Sequence, residues 1–256
     1  MGAMRTLTLT ALPGIPEVVP GARVAKLLLA AINRAGERPA AGDVLVVAQK
    51  IVSKAEGRII PLAEVTPSRE AHELAQAADK DPRLAELILR ESRTVLRVKA
   101  GVIIVEHRLG FVMANAGVDR SNVGAPDEEV ALLLPENPDT SARRIRDDVR
   151  SACGVEVAVV INDSFGRAWR NGVTGVAIGV AGIPALIDLR GTTDRSGRTL
   201  RVTQVAAADE LAAAASLVMG QVDEGLPAVL ARGFPYPLRD GAAQELVRPR
   251  AEDLFR

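Results

Sequence analysis

The chain has 256 residues, enough for one large domain or two closely packed ones with a sizeable core. Lys plus Arg and Asp plus Glu both number 32, so the formal net charge is zero and no nucleic-acid partner is expected. Hydrophobic residues make up 48% and aromatic residues only 2%, so the core must consist of small aliphatic side chains. We expect a single domain over residues 1–256, with two intimately packed subdomains as an alternative.

Cys153 is the only cysteine, which excludes an intrachain disulfide and is typical of a protein in the reducing cytoplasm. The N-terminus lacks a basic region followed by a long apolar run, so no signal peptide is expected. No apolar run approaches the roughly 20 residues of a membrane span. The sequence therefore predicts a cytoplasmic protein without a membrane partner.

The predicted elements, taken in chain order, indicate an α+β fold with mixed or antiparallel sheets and flanking helices. Short apolar or alternating runs predict strands over 6–10, 44–48, 94–98, 102–106, 110–114, 157–161, 186–189, 200–205 and 228–232. Helical spacing predicts helices over 22–35, 68–78, 82–90, 139–152 and 207–219. Ser68 and Asp139 are the expected N-caps of two of these helices. The short strands between 94 and 114 favour antiparallel pairing over a series of βαβ units.

Several common catalytic motifs are missing from the sequence. It contains no Walker P-loop, no Gly-x-Gly-x-x-Gly fingerprint and no Cys/His zinc spacing. Neither histidine has a serine context suited to a hydrolase triad. His72 falls on the exposed side of a predicted helix, and His107 falls in a turn, where we expect it at the surface.

The stretch 157–172 carries the strongest signal of chemistry. A buried strand from Val157 to Ile161 ends in the oxygen-bearing side chains of residues 162–164, and a predicted loop with Arg167 and Arg170 follows. Oxygen ligands suit a hard cation, and guanidinium groups suit phosphate. We interpret the two arginines as anion clamps for phosphate or an acidic substrate. A charged surface loop is the alternative, and the pattern alone does not decide between them.

A second strand end is also rich in oxygen, because Asp119 and Ser121 follow the strand predicted over 110–114. Hard-metal sites draw ligands from separate segments, so Asp119 and Asp163 could converge on one cation. Either aspartate could instead cap a turn.

The segment after the strand at 44–48 gathers three cations, Lys50, Lys54 and Arg58. This cluster suits either the clamping of phosphates or a solvated edge.

Five segments occur together in an order known from one family: Leu12-Pro-Gly-Ile-Pro16, Val52-Ser-Lys-Ala-Glu-Gly-Arg58, Ala116-Gly-Val-Asp-Arg-Ser-Asn-Val123, Asp163-Ser-Phe-Gly-Arg-Ala-Trp-Arg-Asn-Gly172 and Ala208-Asp-Glu-Leu-Ala-Ala-Ala-Ala215. In these segments the chain resembles the coenzyme F420-0:L-glutamate ligase (CofE) family, in its stand-alone form. The resemblance covers nearly the whole chain. It implies a CofE-like fold, unlike P-loop, ATP-grasp or Rossmann ligases, and a homodimer.

The activity implied by the resemblance is GTP-dependent amide formation between the deazaflavin precursor F420-0 and L-glutamate. It passes through an acyl phosphate, releases GDP and phosphate, and continues with γ-linked glutamates. Two divalent cations, Mg²⁺ or Mn²⁺, are implied, with K⁺ as a further candidate. The alternatives are an amino-acid ligase for another carboxylate acceptor and a non-catalytic deazaflavin- or nucleotide-binding protein.

The resemblance also implies the site residues. Asp119 and Asp163 would hold the first metal, and Ser164 and Gln221 would approach the second. The implied nucleotide contacts are Leu12, Pro13, Gly14, Ile15, Gln49, Lys54, Asn122, Met219, Gly220, Gln221, Val222, Asp223, Glu224, Gly225 and Leu226. Gln49 stands where several relatives carry a hydroxyl residue. No side chain is an evident general base, and Trp169 could either stack on a ligand or pack.

Overall fold

The computed structural model describes residues 5–121 and 128–254. The α-helices in these ranges are Val24–Arg34 (α1), Gln49–Ala55 (α2), Arg69–Ala78 (α3), Pro82–Arg90 (α4), Pro138–Cys153 (α5) and Ala207–Met219 (α6). The strands are Thr8–Ala11 (β1), Val44–Ala48 (β2), Ile59–Pro61 (β3), Ser92–Lys99 (β4), Val102–His107 (β5), Val112–Ala114 (β6), Val130–Leu132 (β7), Ala158–Arg167 (β8), Arg170–Ala181 (β9), Ile187–Asp188 (β10), Gln204–Val205 (β11) and Ala228–Arg232 (β12). No helix in the described part of the chain has the length and apolar character needed to cross a membrane.

The central sheet has the strand order β1-β12-β2-β8-β9. Only β2 and β8 are parallel, and the other neighbours in this sheet are antiparallel. A three-stranded antiparallel sheet, β4-β5-β6, packs against α3 and α4, and β3 pairs with β7. This mixed architecture confirms the predicted α+β class.

The two faces of the central sheet bury different parts of the core, because successive side chains of a strand point to opposite faces. In β8, Val159 and Ile161 pack in the cluster that contains Leu28 of α1 and Ile145 of α5. Val160 lies on the other face, in the cluster formed with α6. The sheet is therefore covered on both faces.

The prediction of a loop over 162–172 is wrong. The strand β8 continues to Arg167, and β9 begins at Arg170, so most of this segment is a β-hairpin. Asp163 pairs with Val176 and Ser164 with Gly175. Polar side chains and glycines are typical of loops, but they are also compatible with a hairpin that extends beyond the core.

The predicted cap at Asp139 is also wrong. Asn137 is the N-cap of α5, and its Oδ1 accepts a hydrogen bond of 3.0 Å from the Thr140 N–H. The Asp139 carboxylate instead accepts hydrogen bonds of 2.8 Å from the backbone N–H groups of Val180 and Ala243. Asp139 therefore links α5 to β9 and to the C-terminal segment.

The surface position predicted for His107 is wrong as well. His107 is fully buried, and its Nε2 lies 3.5 Å from the Glu91 carboxylate. Glu91 also binds Arg58 and Arg108, each at 2.9 Å. Burial alone would raise the pKa of Glu91, but His107 and the two guanidinium groups lower it to about 2. This charged cluster ties the three-stranded sheet to the segment after α2.

Two glycines let β9 approach a helix on each face. A Cβ atom at Gly179 would lie 2.5 Å from the carbonyl group of Pro138 in α5. A Cβ atom at Gly175 would lie 2.4 Å from the carbonyl oxygen of Ala212 in α6. Real Cβ atoms do not approach backbone atoms this closely, so both helices depend on glycine for their distance from the sheet.

We expect Gly179→Ala to lower the free energy of unfolding by about 1–3 kcal/mol, because the added methyl group must push α5 away from β9. Gly166→Ala, in the same hairpin, is the matched control because a Cβ atom there meets nothing within 4 Å. Gly166→Ala should change the free energy of unfolding by no more than about 0.5 kcal/mol. Urea unfolding monitored by circular dichroism measures the stability of both variants. Equal losses of stability in the two variants would contradict the close approach of α5.

Candidate functional site

Four chain segments meet at one edge of the central sheet. The parallel strands β2 and β8 reach this edge together, with Ala48 opposite Asn162. β12 is antiparallel to β2 and starts at Ala228, so the loop that precedes it reaches the same edge. β1 ends there too, because Ala11 pairs with the second residue of β12, Val229. Sheet topology, rather than closeness in sequence, brings these segments together.

The segments enclose an open cavity of about 400 Å³. It is lined by residues 15–18 after β1, by Ala48 and residues 49–51 and 54 of α2, by residues 162–164 of β8, and by residues 219–227. Most of the residues predicted to bind nucleotide or metal are in this lining. A larger cavity of about 930 Å³, between α1 and α5, contains none of the predicted site residues.

The first half of the site is acidic. Asp163 follows Ile161 on the α1 face of β8, because the side chains alternate. Asp119 accepts 2.8 and 2.9 Å hydrogen bonds from the backbone N–H and the hydroxyl of Ser121. The Lys50 ammonium lies 2.7 Å from Asp119 Oδ2 and donates to the Ser121 hydroxyl at 2.7 Å. Two aspartates from separate segments thus share one lysine-bearing corner.

The two aspartates differ in their affinity for protons. Burial raises the pKa of Asp163 to about 6, and the negative charge of Asp119 adds to the rise against the opposing effect of Lys50. Burial also acts on Asp119, but hydrogen bonds from Lys50 and Ser121 outweigh it and lower the pKa of Asp119. Both carboxylates interact with Lys50, Asp119 through a direct ion pair and Asp163 through the charge of the ammonium group.

The second half of the site carries neutral oxygens and faces α6. Asn162 is buried, and its Nδ2 donates a 2.9 Å hydrogen bond to the Ser216 hydroxyl. Ser164, two residues along the same face, donates a 3.0 Å hydrogen bond to Gln221 Oε1. This arrangement brings Ser164 and Gln221 together, as the predicted second metal position requires.

The loop after α6 presents backbone N–H groups to a negative charge. Glu224 Oε2 accepts a 2.8 Å hydrogen bond from the Val222 N–H, and this N–H with its neighbouring amides lowers the pKa of Glu224. Gly220 has a φ of 75°, and a Cβ atom there would lie 2.0 Å from the Glu224 carboxyl carbon. Glycine is therefore required at this position, and the amides are oriented to bind an anion.

Helix α2 supplies polar groups to the same cavity. Gln49 is buried, and its Oε1 accepts a 2.8 Å hydrogen bond from the Ser53 hydroxyl. Lys54 is also buried and forms an ion pair with Glu17. Arg58 lies outside the cavity lining and binds the carboxylates of Glu91 and Glu136, so the phosphate alternative for this cluster gains no support at Arg58.

Some predicted site residues lie outside the lining. Leu12 is fully buried, and Pro13 and Gly14 are exposed beside the cavity, where the Gly14 carbonyl accepts a 2.6 Å hydrogen bond from Arg34. Ile15 is the member of this turn that reaches the cavity. Asn122 lies outside the described residues.

Arg167 and Arg170 are not brought to the cavity. Both are exposed at the far end of the hairpin, and Arg167 binds the carbonyl of Asn171 at 3.4 Å. Four residues of extended strand place Arg167 about 13 Å beyond Asp163 along β8. Their interpretation as anion clamps at the cavity gains no support from the geometry.

Among the polar lining residues, Glu17 received no role from the sequence, and Lys50 and Asn162 were considered only as members of wider polar groups. Lys50 and Asn162 stand next to predicted strand ends, which was the available signal. Glu17 carries no local signal, since its place in the cavity depends on the ion pair with Lys54.

Comparison with known proteins identifies the class as ligases. The family described as F420-0:Gamma-glutamyl ligase matches residues 14–233, which is most of the chain. The chain belongs to this family, and the resemblance drawn from its five segments is confirmed.

Three relatives illustrate the match, and each is described as a coenzyme F420:L-glutamate ligase. The relative from Methanothermobacter thermautotrophicus is 50% identical over 252 residues, which cover 98% of this chain and 99% of the relative. The relative from Methanopyrus kandleri is 46% identical over 260 residues, covering 100% of both chains. The relative from Methanocaldococcus jannaschii is 46% identical over 215 residues, covering 84% of this chain and 85% of the relative.

The fluorescence of Trp169 tests the position of the hairpin end. This residue is the only tryptophan and is 89% exposed, with a φ of 64°. We expect the fluorescence of a water-exposed indole that does not change when GDP and Mg²⁺ are added, because Trp169 lies outside the cavity. Free tryptophan with the same nucleotide corrects for absorbance. A blue shift on addition would place the hairpin end, and with it Arg167 and Arg170, on the ligand.

Proposed function

We propose that the protein is a GTP-dependent ligase that joins L-glutamate to coenzyme F420-0 and then extends the product with γ-linked glutamates. Membership of the ligase family supports this proposal, as do the names of its relatives. The observation that carries it is the convergence of Asp163, two lysines and an amide-rich loop on one cavity, with Asp119 joined to it through its ion pair with Lys50.

Amide formation from a carboxylate needs an activated acyl group, because a carboxylate is a poor electrophile. In the proposed reaction a carboxylate oxygen of F420-0 attacks the γ-phosphorus of GTP, and the bond to the leaving GDP oxygen breaks. The α-amine of glutamate then attacks the acyl carbon and loses a proton, and inorganic phosphate leaves. Catalysis of this kind depends mainly on positioning and on neutralising phosphate charge.

The oxygens of the site fit two divalent cations, Mg²⁺ or Mn²⁺, which neutralise phosphate charge when bound. Asp119 and Asp163 would hold one of them. Ser164 and Gln221 would hold the other, since their oxygens are 3.0 Å apart. We also propose K⁺ as a further ion and a homodimer as the assembly.

The remaining lining groups suit the nucleotide. Lys50 and Lys54 of α2 bring two ammonium groups to the cavity, where they can balance phosphate charge. The backbone amides around Glu224 already bind a carboxylate, and phosphate oxygens have the same need for N–H donors. We propose that Ile15, Gln49 and the loop 219–226 contact the nucleotide.

The function is tested by incubating the purified protein with F420-0, GTP, Mn²⁺ and L-glutamate. We expect mass spectrometry to show products heavier by whole glutamyl units, with one GDP and one phosphate released per unit. A panel of other carboxylate acceptors under the same conditions separates this activity from ligation to another acceptor. Nucleotide binding without any product would contradict the ligase assignment.

Asp163→Asn should lower turnover at least about 100-fold while the fold is retained, because the neutral amide weakens cation binding. Asp148→Asn is the matched control, since Asp148 is exposed on α5 and outside this cavity. Circular dichroism and unfolding curves report the fold of both variants. Turnover within about twofold of the wild type would remove Asp163 from the site.

A further inference from the structure

Asn162 carries a buried acceptor that has no partner within the described structure. The residue is 5% exposed and lines the cavity. Its Oδ1 accepts no hydrogen bond from the described residues. Buried polar atoms are almost always paired, so an unpaired acceptor in the wall of a cavity is a candidate ligand contact.

The orientation of the amide group is set by its neighbours on α6. Asn162 Nδ2 donates to the Ser216 hydroxyl at 2.9 Å and lies 3.7 Å from the sulfur of Met219. A flipped amide would place Oδ1 against this sulfur, which is a weak acceptor and offers no hydrogen. The observed orientation therefore leaves Oδ1 as the atom available to a ligand.

The chemistry of this oxygen excludes a direct phosphate contact, because phosphate oxygens are acceptors and would repel it. A cation is the better partner. Ser164 lies two residues further along the same face of β8, and its hydroxyl is 3.0 Å from Gln221 Oε1. Asn162, Ser164 and Gln221 thus form a set of neutral oxygens on the α6 side, opposite the aspartates.

We infer that Asn162 is a further ligand of the second cation, which it contacts through Oδ1 together with Ser164 and Gln221. This inference rests on the proposed two-cation function. Neutral oxygens bind a divalent cation weakly without anionic partners, and the Glu224 carboxylate is already held by backbone N–H groups, so in this inference phosphate oxygens complete the site. The second cation should therefore bind only together with the nucleotide.

The test measures Mn²⁺ binding by electron paramagnetic resonance, with and without GDP, and does not depend on turnover. The wild type should bind two ions in the presence of GDP. Asn162→Leu removes the oxygen while keeping a side chain of similar size. It should weaken binding of the second ion about 10-fold or more without changing binding of the first. Asn162→Asp keeps an oxygen and adds a charge, so it should bind the second ion more tightly. Asn171→Asp, in the exposed hairpin, controls for an added surface charge.

The outcomes separate this inference from the proposed function. If Asn162→Leu binds both ions as the wild type does, or if folded Asn162→Asp binds the second ion more weakly, Asn162 is not a ligand. If Asn162→Leu does not fold, the Asn162→Asp result alone decides. A wild type that binds fewer than two ions overturns this inference together with the two-cation site, whereas glutamylated products would still support the ligase assignment.

Discussion

The site depends on the alternation of side chains along β8 at the point where its buried part ends. Ile161 is fully buried, and the next residues leave the core while the strand still pairs with β9. The pairing shifts here, because Ile161 pairs with Gly179 and Asn162 with Ala177, but the extra residue is on β9, so successive side chains of β8 still point to opposite faces. Asp163 therefore reaches the corner with Asp119, while Asn162 and Ser164 reach α6. A flexible loop in this place would not impose that division.

The division gives each half of the site its own electrostatics. On one face, burial raises the pKa of Asp163 to about 6, and the negative charge of Asp119 adds to the rise. Charge on Asp163 is therefore less favourable than on a free aspartate, a property often found at functional sites. On the other face the oxygens are neutral, and the amide-rich loop around Glu224 lies nearby. The acidic half suits a cation that binds to the protein, and the neutral half suits one that binds with phosphate.

Local sequence signals predicted the elements whose periodicity is strong. The strand at 44–48, the helix at 82–90 and the helix at 207–219 have the predicted bounds. The hairpin after Ile161 was missed because polar residues and glycines suit both a loop and an exposed strand. His107 was misplaced because its burial depends on Glu91, which lies in another segment and gives no local signal.

The site residues were identified by resemblance to the family, but their geometry could not be predicted from the sequence. Whether Asp119 lies near Asp163 depends on the strand order and on contacts such as that of Lys50 with Asp119, and these link distant parts of the chain. The same holds for Arg167 and Arg170, whose spacing after Asp163 suggested a clamp although the extended hairpin carries them away from the cavity. Asn162 shows the converse, since only its packing against α6 reveals an unpaired acceptor.

The most direct test of this account is a crystal structure with GDP and Mn²⁺, in which anomalous scattering locates the ions. The account predicts one manganese peak on each side of β8. The first should contact Asp119 and Asp163, and the second should contact Ser164 and Gln221. A single peak, or two peaks on the same side of the strand, would contradict the division of the site by β8.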